Sequence, residues 1–290
     1  MSNEIVKYEN RLNSIPLRKF NSREMNIFFS IASRVRDKGD DTVTLTFNEL
    51  KSLSKNSRHG KEFVADLSST YDKMLSINAW SDNGDDIVKF VAFTKYHISR
   101  SKETVDIAVN PDFRGLFNDL SQWTRFSLKQ FADLDSTYAK TMFRLLKQYR
   151  TVGRRQFNVE DFRDLLDIPD SYRSSDIDKR VLKPIKEELA PIFKGLAVQK
   201  KRGSGRGGRL ASYTFSFKPE RKDADDFSHY DERIKINTVN NNADLTKEEK
   251  TRSIQRILGM PLGTGHVSEP EEEHTTHEVD IMDLFEQETD

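Results

Sequence analysis

Apolar residues recur at helical spacing near the start of the chain and then give way to an alternating stretch. Between residues 25 and 35 they return every three or four positions, behind Ser22, which is expected to cap the helix. Residues 42–47 alternate as a short strand does. Thr46 and Glu49 then form the pattern of a capping box, which predicts that a second, short helix begins there.

A third helix and a hairpin complete this first unit. The helix is predicted to begin near Gly60, because the apolar side chains that follow share one helical face. The strands of a long hairpin are predicted at 87–98 and 104–109. The predicted order is therefore helix, strand, short helix, helix and hairpin.

The second half of the chain repeats this order. Ser136, Asn158 and Ser175 begin three helices and stand 114, 112 and 115 positions after their first-half counterparts. A strand at 156–158 precedes the second of these helices, and a strand at 212–218 ends the closing hairpin. Near-constant offsets over several elements indicate an internal duplication of one fold.

The fold class that follows is α+β, with two tandem winged-helix domains, each a helix-turn-helix plus a β-hairpin. The predicted domains are 1–120 and 121–222, and an acidic tail at 223–290 follows them. Only residues 245–258 of the tail look helical. We expect the tail to be largely disordered, because it offers too little apolar surface to offset the entropy lost on ordering.

The helix predicted over residues 176–189 has two contrasting faces. An apolar stripe with a spacing of four is expected to be buried: Ile177, Val181, Ile185 and Leu189. The opposite face carries four cations: Lys179, Arg180, Lys183 and Lys186. This arrangement fits a recognition helix that enters the major groove, although an amphipathic surface helix would show it too. Pro184 removes one backbone hydrogen bond and is expected to kink the helix.

A hairpin tip rich in glycine and arginine follows this helix. Glycine lets the backbone approach phosphate closely, and cations release counterions on binding DNA. A nucleotide-binding loop is the rival interpretation, but the sequence lacks the G-x-x-x-x-G-K-[ST] pattern. The expected phosphate contacts of this wing are Lys200, Lys201, Arg202, Arg206 and Arg209.

Charge is segregated along the chain, although the formal net charge is zero. Residues 1–120 hold 18 Lys/Arg against 17 Asp/Glu, residues 121–222 hold 23 against 12, and residues 223–290 hold 6 against 18. The positive excess favours nucleic-acid binding by the second half. The first half has a thinner cluster at Arg58 and Lys61, which leaves DNA contact and protein association equally open.

Composition excludes several kinds of function. The chain has no cysteine, which excludes thiolate zinc fingers, disulfides and cysteine nucleophiles. Neither a membrane span nor the apolar core of a signal peptide is visible, so we expect a cytoplasmic protein. The six histidines do not form the pair expected of a metal-dependent nicking enzyme. We therefore expect no catalytic site, no metal and no cofactor.

The C-terminus places an apolar patch within acidic sequence. Asp283, Leu284 and Phe285 resemble the end of the short peptides by which bacterial proteins dock onto the replicative sliding clamp. Ile281 stands where such peptides usually have Gln, and a nonspecific apolar end explains the pattern equally well.

Residues 135–148, 157–168 and 179–189, Pro184 included, resemble plasmid replication initiators of the iteron-binding Rep type. Residues 10–20 and 23–31 resemble, within that group, the RepB initiators of theta-replicating plasmids of lactic-acid bacteria. The resemblance covers about residues 10–220. It implies two winged-helix domains that bind directly repeated origin sites (iterons), the second domain more strongly.

The resemblance also implies further properties of the family. It implies that the protein binds iterons as a monomer and that, away from iterons, it forms dimers that repress its own promoter. It also implies that the protein opens the origin and recruits host helicase or primase. At the matched positions it assigns base reading to the helix cations and phosphate contact to the wing cations. The expected function is replication initiation by sequence-specific, non-enzymatic DNA binding. A winged-helix transcriptional repressor and an origin-nicking enzyme are the alternatives.

Overall fold

Two three-stranded sheets of the same connectivity reveal the internal repeat in the computed structural model of the chain. In each half, the strand after the first long helix pairs with the last strand of the closing hairpin, which lies in the middle of the sheet. All of these pairings are antiparallel. The prediction of an α+β chain with two tandem winged-helix domains is therefore confirmed.

The structure describes residues 4–15, 17, 19–39, 41–75, 78–82, 87–111, 115, 117, 122–203, 209–222, 224, 239 and 245–257. Within 78–90 and at 256–257 it describes the backbone alone. Residues 1–231 form one compact unit and residues 232–290 form another.

The described elements of the first half are β1 (Ile5–Glu9), a 3-10 helix (Asn10–Ser14), α1 (Ser22–Val35), β2 (Val43–Thr46), α2 (Phe47–Ser54), α3 (Gly60–Leu75), β3 (Asn78–Asp82), β4 (Ile87–Val91), β5 (Phe93–Ser99) and β6 (Thr104–Val109). The described elements of the second half are β7 (Trp123–Ser127), α4 (Leu128–Ala132), α5 (Thr137–Lys147), β8 (Arg154–Asn158), α6 (Val159–Leu165), α7 (Ser174–Asp176), a π-helical segment (Ile177–Leu182), α8 (Lys183–Leu189), β9 (Ala197–Arg202) and β10 (Leu210–Ser216). In the second unit, α9 spans Lys247–Ile257.

Polar capping residues determine where the helices begin. The side chains of Thr46, Ser136 and Asn158 each accept a hydrogen bond from a backbone N–H in the first turn of α2, α5 and α6. Each side chain satisfies a donor that has no partner within the helix. The three helix starts predicted at these residues are confirmed.

Two caps differ from the sequence prediction. Asn21, not Ser22, caps α1 and forms a complete capping box with Glu24. In α2 the Glu49 carboxylate does not return to the cap but accepts a hydrogen bond from Arg34 Nε at 2.8 Å. An ion pair across two helices therefore replaces the second half of the predicted capping box.

The first-half hairpin is also shorter than predicted. Residues 87–98 do not form one strand, because the chain bends at the buried Ala92. β4 before the bend pairs with β3, whereas β5 after it pairs with β6. Residues 190–196, all of them described, connect α8 to β9 without a counterpart of the β3–β4 hairpin. The antiparallel pairing of β1 with β7 was not predicted from the sequence. The boundary predicted between residues 120 and 121 precedes β7 and stays a prediction.

Helix α5, the first long helix of the second half, is buried over nearly its whole length. The ring of Phe143 packs edge-on against Phe126 of β7 and Phe193, with ring centroids 5.2 and 5.9 Å apart. Three cations on this helix are buried as well: Lys140, Arg144 and Lys147. Buried charges are costly unless they are hydrogen-bonded, so their partners are an essential part of the fold.

Two of these cations take acceptors from the first half of the chain. The Lys140 ammonium donates to the Asn26 side chain of α1 and to the Phe131 carbonyl, both at 2.7 Å. The Arg144 guanidinium donates to the carbonyls of Leu12 and Ile15 at 2.9 and 3.0 Å. The contacts bind the two winged helices into one unit.

The segment after β10 returns to the same helix. Lys147 pairs with Glu220 at 2.8 Å. Arg150, just beyond α5, donates to the Arg221 carbonyl at 3.0 Å, and Arg125 of β7 donates to the Lys222 carbonyl at 3.0 Å. The chain that leaves the second winged helix is thereby held against α5 and β7.

The buried ammonium of Lys140 predicts a pH dependence of stability. Burial lowers its pKa from 10.5 to about 7. Between these values the unfolded chain keeps a proton that the folded protein has released. The free energy of unfolding should therefore rise with pH from 7 towards 10, by up to about 1.4 kcal/mol per pH unit, and this contribution should be absent below pH 7.

Urea unfolding of the wild type and of Lys140→Met at pH 7, 8 and 9 measures this contribution. Met has a similar length and no titratable group, so the difference between the two proteins isolates Lys140. A difference that does not change with pH would show that Lys140 keeps its proton in the folded state.

Candidate nucleic-acid interface

Residues 174–189 form a continuous helical stretch with the two faces that the sequence predicts. Ile177, Val181, Ile185 and Leu189 are each 3% exposed or less. The four cations on the other side are all exposed: Lys179, Arg180, Lys183 and Lys186. The stretch packs on one side and presents positive charge to solvent on the other, as a helix that enters a groove of DNA must do.

Pro184 interrupts the regular hydrogen bonding of this stretch. It has no N–H to donate, and directly before it the chain takes a π-helical turn over Ile177–Leu182. There the Lys183 N–H donates to the Asp178 carbonyl, five residues earlier. The wider turn accommodates the missing donor and sets the angular position of Arg180 relative to Lys183.

The acidic neighbours neutralise little of this face. Lys183 Nζ lies 3.9 Å from the Glu187 carboxylate. Glu188 instead accepts hydrogen bonds from the backbone N–H groups of Asp135 and Ser136, at 2.8 and 3.1 Å, where α5 begins. Within the described part of the chain no ion pair is found for Lys179.

The wing places a second set of cations beside this helix. Lys200, Lys201 and Arg202 are exposed on β9 and Arg209 is exposed directly before β10, whereas Arg206 lies outside the described residues. The Lys200 ammonium pairs with the Asp178 carboxylate of the helix. Val198, Lys200 and Lys186 line a groove between wing and helix. Helix and wing therefore form one continuous cationic surface.

The other part of the helix-turn-helix, α6 and the turn after it, is acidic. Five exposed carboxylates lie on α6 and in the turn that follows: Glu160, Asp161, Asp164, Asp167 and Asp170. The Arg163 guanidinium among them donates to the Pro169 carbonyl at 2.8 Å and so holds the turn. Phosphates are repelled from this side and attracted to the helix and wing.

The first half offers a weaker version of the same surface. Arg58 is engaged by the Asp66 carboxylate at 3.2 Å, and Lys61 is exposed at the start of α3. The exposed residues of α3 are Gly60, Lys61, Glu62, Ala65, Ser68, Asp72 and Leu75, without an excess of cations. Sequence reasoning missed three exposed cations on β5 and the tip of the first wing: Lys95, Arg100 and Lys102. The internal repeat could have revealed these three cations, because they correspond to the cationic wing of the second half.

The sequence predicts one further site, at the C-terminus. Asp283, Leu284 and Phe285 fall outside the described residues. Among the residues that are described, no cluster of three or more metal-ligating side chains occurs, and no helix is long and apolar enough to cross a membrane.

Tandem winged helices with one strongly cationic helix and wing define a class of DNA-binding proteins, and family models match this chain. The model described as Initiator Replication protein, WH1, matches residues 5–147. The model described as Initiator Rep protein, WH2, matches residues 158–217.

One curated relative and one solved structure extend the comparison. A probable replication protein of Bifidobacterium longum (strain NCC 2705) is 36% identical over 225 residues, which cover 76% of this chain and 74% of that protein. The chain belongs to the family of initiator replication proteins. The crystal structure of Pi initiator protein in complex with iteron DNA shares the fold, with a TM-score of 0.60 and 11% identity over 77% of this chain and all of that one.

Replacing Asp178 should strengthen DNA binding. Asp178→Asn removes a negative charge from the cationic surface and frees Lys200 for a phosphate. We expect a lower Kd for duplex DNA and a salt dependence of log K steeper by about one unit. Fluorescence anisotropy with a random duplex over a range of salt concentrations measures both.

Asp170→Asn is the matched control, because it removes the same charge from the acidic side. It should change the salt dependence less than Asp178→Asn does. Equal effects of the two substitutions would remove Lys200 from the interface.

Proposed function

We propose that this initiator binds directly repeated origin sites through the second winged helix and so starts plasmid replication. The observation that supports the proposal is the exposed cationic face of residues 174–189, backed by a fully buried apolar stripe and continued by the wing. Arg180 is the one arginine on that face, and its planar guanidinium fits the paired acceptors of guanine. Lys179, Lys183 and Lys186 supply further base and backbone contacts.

The wing is proposed to supply affinity rather than sequence preference. Lys200, Lys201, Arg202, Arg206 and Arg209 lie within or next to a glycine-rich segment of the sequence, and glycine lets the backbone approach phosphates. The first half is proposed to make weaker DNA contacts through Arg58, Lys61 and its own wing, or to pair with a second copy.

Host helicase or primase, and a sliding clamp docked at 283–285, are the proposed further partners, and the cytoplasm is the proposed location.

Substitution of Arg180 and of the wing arginines separates base reading from phosphate contact. Arg180→Ala should weaken binding to the repeat by about 1–3 kcal/mol, because a bidentate contact with a base is lost, and should change binding to random duplex little. Arg202→Ala combined with Arg209→Ala should weaken both and lower the salt slope by about two units. Binding titrations of both variants against both duplexes measure these effects.

Equal losses on repeat and random duplex for Arg180→Ala would show that it contacts only phosphate. An unchanged slope for the double variant would remove the wing from the interface.

We also propose that the protein acts without cutting DNA. Duplex opening by binding needs only differential affinity for the deformed site, and the proposed interface consists of cations and an apolar support. Purified protein incubated with magnesium and supercoiled origin plasmid should leave the plasmid supercoiled on an agarose gel. Relaxed circles that appear in proportion to the concentration of the protein would contradict this.

A further inference from the structure

The guanidinium of Arg180 is oriented by contacts within the protein. Its Cζ lies 5.2 Å from the centroid of the Tyr172 ring, and its Nη1 donates to the Tyr172 hydroxyl at 3.4 Å. Its Nε lies 3.9 Å from the Asp176 carboxylate. The side chain is nevertheless 61% exposed. The contacts therefore restrict the direction of the guanidinium without removing it from the surface.

Tyr172 is itself fixed from three sides. It lies in the turn between α6 and α7, where its N–H donates to the Pro169 carbonyl at 3.0 Å. Its own carbonyl accepts a hydrogen bond from the Arg163 guanidinium at 3.3 Å. Its ring packs on the hydrophobic core. A chain of contacts thus runs from the core through Tyr172 to the guanidinium.

A restrained arginine has an advantage over a free one in reading a base. A free arginine side chain loses about 2 kcal/mol of rotamer entropy when it is immobilised. Orientation before binding removes part of that entropy loss. It also holds the guanidinium in the direction that two parallel hydrogen bonds to a base require. No comparable ring contact is found for the other cations of this face within the described residues.

We propose that Tyr172 is a positioning residue, which holds the Arg180 guanidinium towards a guanine in the major groove and so fixes the base preference at one position of the site. Tyr172 need not touch DNA itself. The inference rests on the proposed function, because it deepens the role of Arg180 in sequence-specific binding.

Selection of binding sites by the full-length protein tests this inference. Wild type, Arg180→Ala, Tyr172→Phe and Tyr172→Leu are each used to enrich a random library of duplexes about two helical turns long. Arg180→Ala should lose a guanine preference at one position of the enriched site. Tyr172→Phe keeps the ring and loses the hydroxyl, so the preference at that same position should fall about five-fold. Tyr172→Leu should lose it as Arg180→Ala does.

Binding and stability measurements separate positioning from a general structural role. The affinity of Tyr172→Phe for a fixed random duplex should stay within about two-fold of the wild type. Adding Tyr172→Phe to Arg180→Ala should cause no further loss of preference. Tyr149→Phe is the matched control, because Tyr149 also stacks with an arginine, Arg155, with 4.7 Å from Cζ to ring centroid. It should leave the preference unchanged at every position.

The outcomes that overturn the inference differ from those that overturn the proposed function. If the wild type enriches no sequence, both are wrong. If Arg180→Ala loses the preference while Tyr172→Phe and Tyr172→Leu retain it, only the positioning role is wrong. A uniform loss at all positions in Tyr172→Phe, with a lower Tm, would likewise show that Tyr172 acts only through stability.

Discussion

The buried cations of helix α5 are the interaction on which the rest of the structure depends. A lysine or arginine inside a protein must find acceptors, or the folded state loses several kcal/mol. Lys140 and Arg144 find them in the first winged helix, and Lys147 finds one in the segment after the second. The two repeats are therefore not independent domains on a linker. Polar contacts with fixed directions hold them together, in addition to apolar packing.

The same helix supports the candidate DNA-binding surface. Glu188, in the same helical stretch as the exposed cations, accepts hydrogen bonds from the backbone at the start of α5. The apolar stripe of residues 177–189 packs into the core next to it. The position of each exposed cation thus depends on the core, which gives the surface the rigidity that base reading requires.

Much of the fold could be predicted from the sequence, because its signals are local. Caps at Thr46, Ser136 and Asn158 and the four-residue spacing of Ile177 and Val181 act within one or two helical turns. The pairing of β1 with β7 joins residues more than a hundred positions apart, and nothing local specifies it. The sequence also does not reveal that Arg58 is engaged by Asp66 or Lys200 by Asp178, since each pairing depends on how two elements pack. The exposed cations of the candidate site were predictable, whereas their partners were not.

The second helix-turn-helix carries its carboxylates on α6 and the turn after it, and its cations on the helical stretch and wing that follow. A duplex would therefore meet an asymmetric charge pattern, which favours one sense of binding. Successive copies on head-to-tail repeats would all face the same way. Neighbours would then meet through two different patches rather than through a shared two-fold axis. Contacts between two different patches do not by themselves limit the number of copies that can associate. The number of repeats in the DNA, and not the protein, would therefore set the length of the array.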